Sequence, residues 1–208
     1  MVRKDCQQKA RPAGRPVGSE ESPALCLEGH DPASLPPGLR WLAGDFSSFE
    51  GAFFYQLLAL RQEVFILEQK CFYLDADGID LEPTTEHLCL LKDSEVDASP
   101  IAYLRIYDGA HQGDPVAITP FKIGRVLVAR PWRGQGLGGA IMREAIERCT
   151  RRRRKASITL SAQAYLERFY QELGFERSGA PFDDAGIPHI PMKRDPHETR
   201  RPCPHVVR

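Results

Sequence analysis

Apolar positions recur along this chain in blocks of changing period. Within residues 50–67, Phe53, Leu57, Leu60, Val64 and Leu67 fall at three- and four-residue steps, the stripe of an amphipathic helix. Residues 87–91 and 101–107 are short apolar runs joined by a polar segment and read as two strands; 123–129 reads as a third, central one. The helical period returns over 137–149, where Leu137, Ile141, Ala145, Ile146 and Cys149 align. A short strand at 157–161, a helix over 164–173 stopped by Gly174, and a last strand at 187–193 complete the set. Strands first, then β-α-β-α-β, predict an α/β domain with a mixed central β-sheet flanked by helices.

The pattern also bounds the domain. Residues 1–40 contain no aromatic side chain, and ten of the 40 are Pro or Gly, a composition that predicts a disordered N-terminal extension. Trp41 marks the expected domain edge, and the polar, Pro-containing stretch 195–208 predicts a disordered C-terminal tail. That leaves 41–194 as one domain.

Composition narrows the class. Twenty-eight basic residues balance 28 acidic ones, which argues against bulk nucleic-acid or membrane binding. No apolar run nears the roughly 20 residues of a bilayer span, and no apolar stretch follows the N-terminal charges as in a secretory signal. The six cysteines are scattered without a CxxC pair, so neither a zinc ribbon nor a disulfide framework is expected. A cytoplasmic protein without a metal follows as the expectation; the acids at 75, 77 and 80 lack the Glu that closes a calcium loop.

Charge is nonetheless unevenly placed. Residues 45–114 hold 14 Asp/Glu against 4 Lys/Arg, and 122–177 hold 13 Lys/Arg against 5 Glu. A polyanionic cofactor over the basic half and a cationic substrate over the acidic half is the functional reading; solvated faces are the plain one. Residues 151–155, four Arg and a Lys, lack interleaved aromatics. They read as a solvated helix-end turn that helps attract anionic phosphates.

Chemistry concentrates after the 123–129 strand. There Arg133, Gly134, Gln135, Gly136, Leu137, Gly138 and Gly139 run into a helix. Closely spaced glycines let backbone N–H groups converge, and the helix dipole adds positive potential, so the turn predicts a pyrophosphate site. Formally it matches the dinucleotide fingerprint GxGxxG, but it comes late in the fold and the ribose-binding acid is replaced by the basic run at 151–155. An NADP oxidoreductase is therefore the weaker option.

The pattern Arg133-x-x-Gly136-x-Gly138 resembles the acetyl-CoA-binding motif of the GNAT acetyltransferases, and Phe169-Tyr170-Gln171-Glu172-Leu173-Gly174-Phe175 resembles their late helix with its tyrosine. A narrower resemblance, to ElaA-type GNAT proteins, covers nearly all of 41–194. It is carried by Arg61-Gln62-Glu63-Val64-Phe65 with Glu68-Gln69, by Asp75, Asp77, Gly78 and Asp80, and by His87. Gly124-Arg125-Val126, Ala162-Gln163-Ala164 and Gly186 to Met192 with His189 extend it.

The resemblance implies a GNAT fold and an enzyme that moves the acetyl group of acetyl-CoA to a primary amine of a small cationic molecule, peptide or protein, by direct attack in a ternary complex. A catalytically silent acyl-CoA-binding module acting through a protein partner is the alternative. Residues 133–138 would hold the pyrophosphate, Val126, Leu127 and Val128 the pantetheine arm, and the Val128 N–H the thioester oxygen. Tyr170 would be the general acid, since a phenol of pKa about 10 is protonated at neutral pH. The base stays open among Glu63, Glu68, Asp77, His87 and His189, with Glu68 the leading choice. Gln69, Asp77, His87, Arg125, Gln163 and His189 would border the acceptor, Arg125 touching either substrate or an acid of the 75–80 loop. Monomer and homodimer both remain open.

Overall fold

The computed structural model describes residues 35–93, 99–109 and 118–196; the expectations for residues 1–34 and 197–208 lie outside the described residues. One eight-stranded sheet runs through the domain. Its strands are β1 (Leu39–Gly44), β2 (Glu86–Lys92), β3 (Pro100–Asp108), β4 (Phe121–Val128), β5 (Ile158–Gln163), β6 (Glu176–Arg177), β7 (Phe182–Asp184) and β8 (Ile187–Arg194). Their order is β1-β2-β3-β4-β5-β8-β6, with β7 hairpinned onto β8. Every pairing is antiparallel except β4 with β5.

Among the described residues three α-helices flank the sheet: α1 (Gly51–Arg61), α2 (Leu137–Arg152) and α3 (Glu167–Glu172). The middle strands carry apolar side chains on both faces, so each face needs a cover. Leu88, Leu90, Leu104 and Ile106 pack with Ile141, Met142 and Ala145 of α2. On the other face Cys89, Leu91, Tyr103 and Leu127 pack with Phe54, Leu57, Val64 and Phe65 from the first helix. The β4–α2–β5 crossover is what makes β4 and β5 parallel.

Three sequence expectations are corrected. The domain starts earlier than Trp41, because Leu39 already pairs with Lys92 and Leu35 packs on the core. The first helix buries Phe54, Leu57, Arg61, Val64 and Phe65, whereas Leu67 is exposed. Apolar periodicity cannot foresee a buried arginine, and at Gln62–Glu68 the α-helix widens into π turns that shift the phase of its face. Residues 151–155 sit at the C-terminal end of α2, about 24 Å along its axis from the glycine loop. Arg152 pairs with Glu86, Arg153 pairs with Asp108, and both guanidiniums lie over the Phe121 ring. The cluster anchors a helix end and stands away from the loop it was expected to assist.

The feature that positions the site is a parting of two strands. β4 and β5 pair only at Phe121 with Ile158 and Lys122 with Thr159, then separate. A register shift against β3 opposite Tyr103 and Arg105 marks a bulge in β4, where Arg125 adopts φ +56°. Beyond it the far edge of β4 has no strand partner among the described residues.

Candidate active site

Two cavities meet in the gap between β4 and β5. The first, about 520 Å³, is lined by Val126, Leu127 and Val128 of β4, by Arg133, Gly134, Gly136, Leu137 and Gly138 of the glycine loop, and by Tyr170. The second, about 370 Å³, runs over the open face of β3, β4, β5 and β8 and is more polar. Gln69, Val126, Leu166 and Tyr170 belong to both.

The loop's geometry explains its glycines. Gly134 and Gly136 sit at φ +77° and +75°, where a Cβ is strained, and a Cβ on either would meet no protein atom within 4 Å. The loop thus leaves open space above its own backbone. No side chain caps α2, whose N-cap is Gly136, so the first-turn N–H groups are left for a ligand or water. Together these features form an anion cradle of pyrophosphate type. Gln135 is exposed and lines neither cavity; its amide points back toward the Pro131 carbonyl.

The β4 edge contributes a backbone donor. Ala129 N–H donates to Ile101 O on β3, at 2.8 Å. Successive peptide groups of a strand point to opposite edges, so the Val128 N–H faces the gap that β5 has left. The Val128 carbonyl, on that same edge, accepts from Arg133 Nε at 2.9 Å.

Tyr170 is almost wholly buried, edge-on to Phe169 and Phe175. Burial raises its phenol well above the ordinary tyrosine value, keeping it protonated. Its hydroxyl makes no hydrogen bond with any described residue, although its side chain borders both cavities.

Glu68, expected as the base, lines neither cavity. Its carboxylate pairs with Arg133 Nη2 at 2.7 Å and braces the first helix against the glycine loop. Glu63 is exposed on the helix surface. His87 is fully buried beneath the site, between Phe49 and Phe54. Its Nε2 lies 3.1 Å from the Asp80 carbonyl, which can only accept, so Nε2 carries the proton and Nδ1 accepts from the Tyr103 hydroxyl at 2.8 Å. Burial holds the imidazole below its ordinary pKa. With both nitrogens used inside the core, His87 is structural.

Asp77 is likewise engaged. Arg61 donates to Asp75 at 2.8 Å and to Asp80 at 2.9 Å; Arg105 pairs with Asp80 at 2.9 Å and with Asp77; Arg125 reaches Asp75 at 2.6 Å and Asp77 at 3.1 Å. Hydrogen bonds and charge from these arginines hold the Asp77 and Asp80 carboxyls below the usual range, outweighing burial. Three arginines thus balance three aspartates, and the 75–80 loop presents little free negative charge. Of the two contacts open to Arg125, the structure shows the one with the loop acids.

Gln69, Arg125, Gln163 and His189 do line the polar cleft. Gln163 Nε2 donates to Gln69 Oε1 at 3.0 Å, joining β5 to the end of the first helix. His189 Nδ1 lies 2.8 Å from the Ile187 carbonyl and must donate to it, which leaves Nε2 with a lone pair in the neutral ring. Sequence reasoning missed Lys122, Asp184, Cys71 and Tyr73, which also line the cleft. Lys122 carried a legible signal, a charge between Phe121 and Ile123 in an apolar strand. Burial pushes the Cys71 thiol up, with Asp184 adding to the effect, so it is no ready thiolate. Among the described residues no group of three or more His, Cys, Asp or Glu is placed to hold a metal ion. No described helix is long and apolar enough to cross a membrane.

A parted β4/β5 pair, a glycine loop opening a helix in the gap, and a tyrosine facing it define an acyltransferase of the GNAT fold. The acetyltransferase (GNAT) domain family model matches residues 94–196. Protein ElaA of Escherichia coli is 36% identical over 157 residues, covering 76% of this chain and 97% of that protein. A UPF0039 protein of Synechocystis is 37% identical over 155 residues, covering 74% and 94%. The crystal structure of E. coli ElaA superposes with a TM-score of 0.65 at 34% identity, over 76% of this chain and 99% of that one. An acyl-CoA N-acyltransferase from Pseudomonas aeruginosa gives 0.67 at 37% identity, over 75% and 99%. The chain belongs to the GNAT superfamily, in its ElaA/UPF0039 family.

Proposed function

We propose that this protein is an acetyl-CoA-dependent N-acetyltransferase acting on a primary amine. The observation that carries the reading is the junction at Tyr170: an anion cradle with a free strand edge on one side, a polar cleft on the other, and a protonated phenol bordering both. The residues fit acyl-CoA. Gly134, Gly136 and the first turn of α2 receive the pyrophosphate, and the edge of β4 receives the pantetheine arm. The co-substrate supplies an activated acetyl group on a thiolate leaving group.

The chain's own groups then divide the work. Val128 N–H donates to the thioester oxygen as negative charge develops on it. His189 Nε2, directly or through a water, takes the proton that the attacking amine must lose; Glu68 is held elsewhere by Arg133. The new C–N bond forms as the C–S bond breaks, and Tyr170 gives its proton to the departing sulfur. Transfer is direct, since Cys71, the one thiol lining the cleft among the described residues, stays protonated.

Release of CoA thiol, followed with acetyl-CoA and an amine panel, tests the reading. Tyr170→Phe is expected to lower kcat by about a hundredfold or more while leaving CoA binding intact, the size typical of losing a general acid. Equal turnover in both proteins would remove Tyr170 from the mechanism. Stabilisation by CoA with no turnover of any amine would leave a binding module.

A further inference from the structure

The charges expected to recruit a cationic acceptor are closed on one another, so acceptor preference rests on what stays uncompensated in the cleft. Arg105 and Arg125 line it, but their charge is shared with Asp75, Asp77 and Asp80. Lys122 and Asp184 also line it, both exposed, and neither pairs with any described residue.

These two lie at opposite ends of the cleft. Lys122 pairs in register with Thr159, where β4 and β5 are still joined and the cleft is closed. Asp184 closes the β7–β8 hairpin, two pairs beyond Phe182 with His189, and His189 registers with Gln163. Four residues along β5 separate Thr159 from Gln163, roughly 13 Å at about 3.3 Å per residue. The Asp184 end is also the reactive end, since His189 faces the cleft there and Gln163 is tied to Gln69, which borders the acyl-donor cavity.

We infer that the acceptor is an amine carrying an anionic group at its far end: the amine lies at the Asp184–His189 end, and Lys122 holds the anion at the closed end. This deepens the acetyltransferase reading and rests on it. A cleft whose described residues leave one cation and one anion unpaired is complementary to a dipolar ligand and repels a second cation placed at Lys122. Subtracting the reach of the two side chains from the end-to-end length leaves a spacing of several bonds. That favours an ω-amino carboxylate or a lysine-like side-chain amine over an α-amine whose carboxylate is on the adjacent carbon. A phosphate in place of the carboxylate would satisfy the same chemistry.

The test uses the full chain and three amines of matched length: 6-aminohexanoate, hexylamine and 1,6-diaminohexane, with 5-aminopentyl phosphate as the phosphate arm. Acetylation is read as CoA thiol release, and binding as the melting shift each amine adds to CoA-saturated protein. The expected order of kcat/KM is anion, then neutral, then cation, with about a tenfold step between the first and last, the scale of a partly exposed charge pair. Lys122→Ala should compress that order and Lys122→Glu should reverse it. The phosphate arm assigns the anion: a better substrate than the carboxylate names phosphate, a poorer one carboxylate. A wild-type preference for the diamine, an order indifferent to Lys122, or no response to any of the four amines in either readout overturns the inference. If CoA itself fails to stabilise the protein, it is the acetyltransferase reading that falls.

Discussion

The two walls of the cleft are made of different materials. On the side proposed for the acyl donor the groups on offer are main chain: glycine amides at the start of α2 and the β4 edge that has no strand partner among the described residues, set on an apolar layer that includes Leu137, Ile141 and Val128. On the side proposed for the acceptor the wall is a lattice of six charged side chains, Arg61, Arg105 and Arg125 against Asp75, Asp77 and Asp80, which fastens the 71–80 segment across β3 and β4. Backbone donors cannot be moved by a point mutation, so a donor site built from them tolerates change except where a Cβ intrudes. A lattice of charges is different: Arg61, Arg105, Asp75 and Asp80 are buried only because their partners are present.

That contrast sets the largest expected effect. Arg61 is fully buried and serves both Asp75 and Asp80. Arg61→Met keeps much of the volume but takes one of two arginine partners from each of Asp75 and Asp80, and removing one partner of a buried ion network costs about 3–5 kcal/mol. Urea unfolding of the variant reads this directly. A loss below about 1 kcal/mol would show the lattice to be open to water and the comparison with the donor wall to be false.

The donor wall predicts the opposite behaviour. Because a Cβ on Gly136 meets no protein atom, Gly136→Ala should destabilise the fold only by the strain of its positive φ, about 1–2 kcal/mol. CoA affinity should fall further, by tenfold or more, since the space the methyl enters is the one assigned to phosphate. Calorimetric titration with CoA beside a melting curve separates the two quantities. Affinity that falls no more than stability would leave that space without a ligand.

Arg125 sharpens the comparison where the walls join. It sits at φ +56° in the β4 bulge, stacks over the Tyr73 ring at 4.8 Å, and reaches Asp75 and Asp77. Arg125→Gly removes the clamp but suits the backbone, whereas Arg125→Ala removes the clamp and keeps the strain. The glycine variant should be the more stable by about 1 kcal/mol, against the usual order of the two residues. Equal stabilities would mean that the bulge relaxes once the clamp is gone.

How much of this was legible in the sequence depends on the range of the interaction. The α2 stripe, the β3 and β4 runs and the glycine loop are written in local spacing, and the structure places them within a few residues of expectation. β1 was missed because its edge position leaves it only half-buried, so that no run of apolar residues marks it. The π turns and the buried Arg61 broke the expected helical face for a related reason: a long-range ion pair makes arginine a core residue. Asp77 and His87 were legible as chemistry-bearing residues but not as residues already engaged, since their partners stand 28 and 16 positions away. Glu68 was misplaced in the same way by Arg133. A motif reveals which groups are present; only the fold reveals which are still free.

At neutral pH the smallest effect concerns His87, where both walls rest on the core, because it emerges only on acidification. Its folded pKa is depressed, chiefly by burial, so near pH 6 the unfolded chain binds a proton that the folded chain refuses. Stability therefore rises with pH through this window and is lost as pH falls below about 6.5, with a slope of at most about 1.4 kcal/mol per pH unit for one group. A second loss belongs to Asp77 and Asp80, whose folded values are also depressed, and it begins only below about pH 4. The first window tests the histidine and the second tests the lattice. His87→Gln keeps a polar side chain beside Tyr103 and Asp80 but cannot titrate, so the loss of stability between pH 6.5 and 5 should vanish while the loss near pH 3.5 remains. If the upper window persists in that variant, another group carries it, and the assignment of His87 as a neutral core residue is wrong.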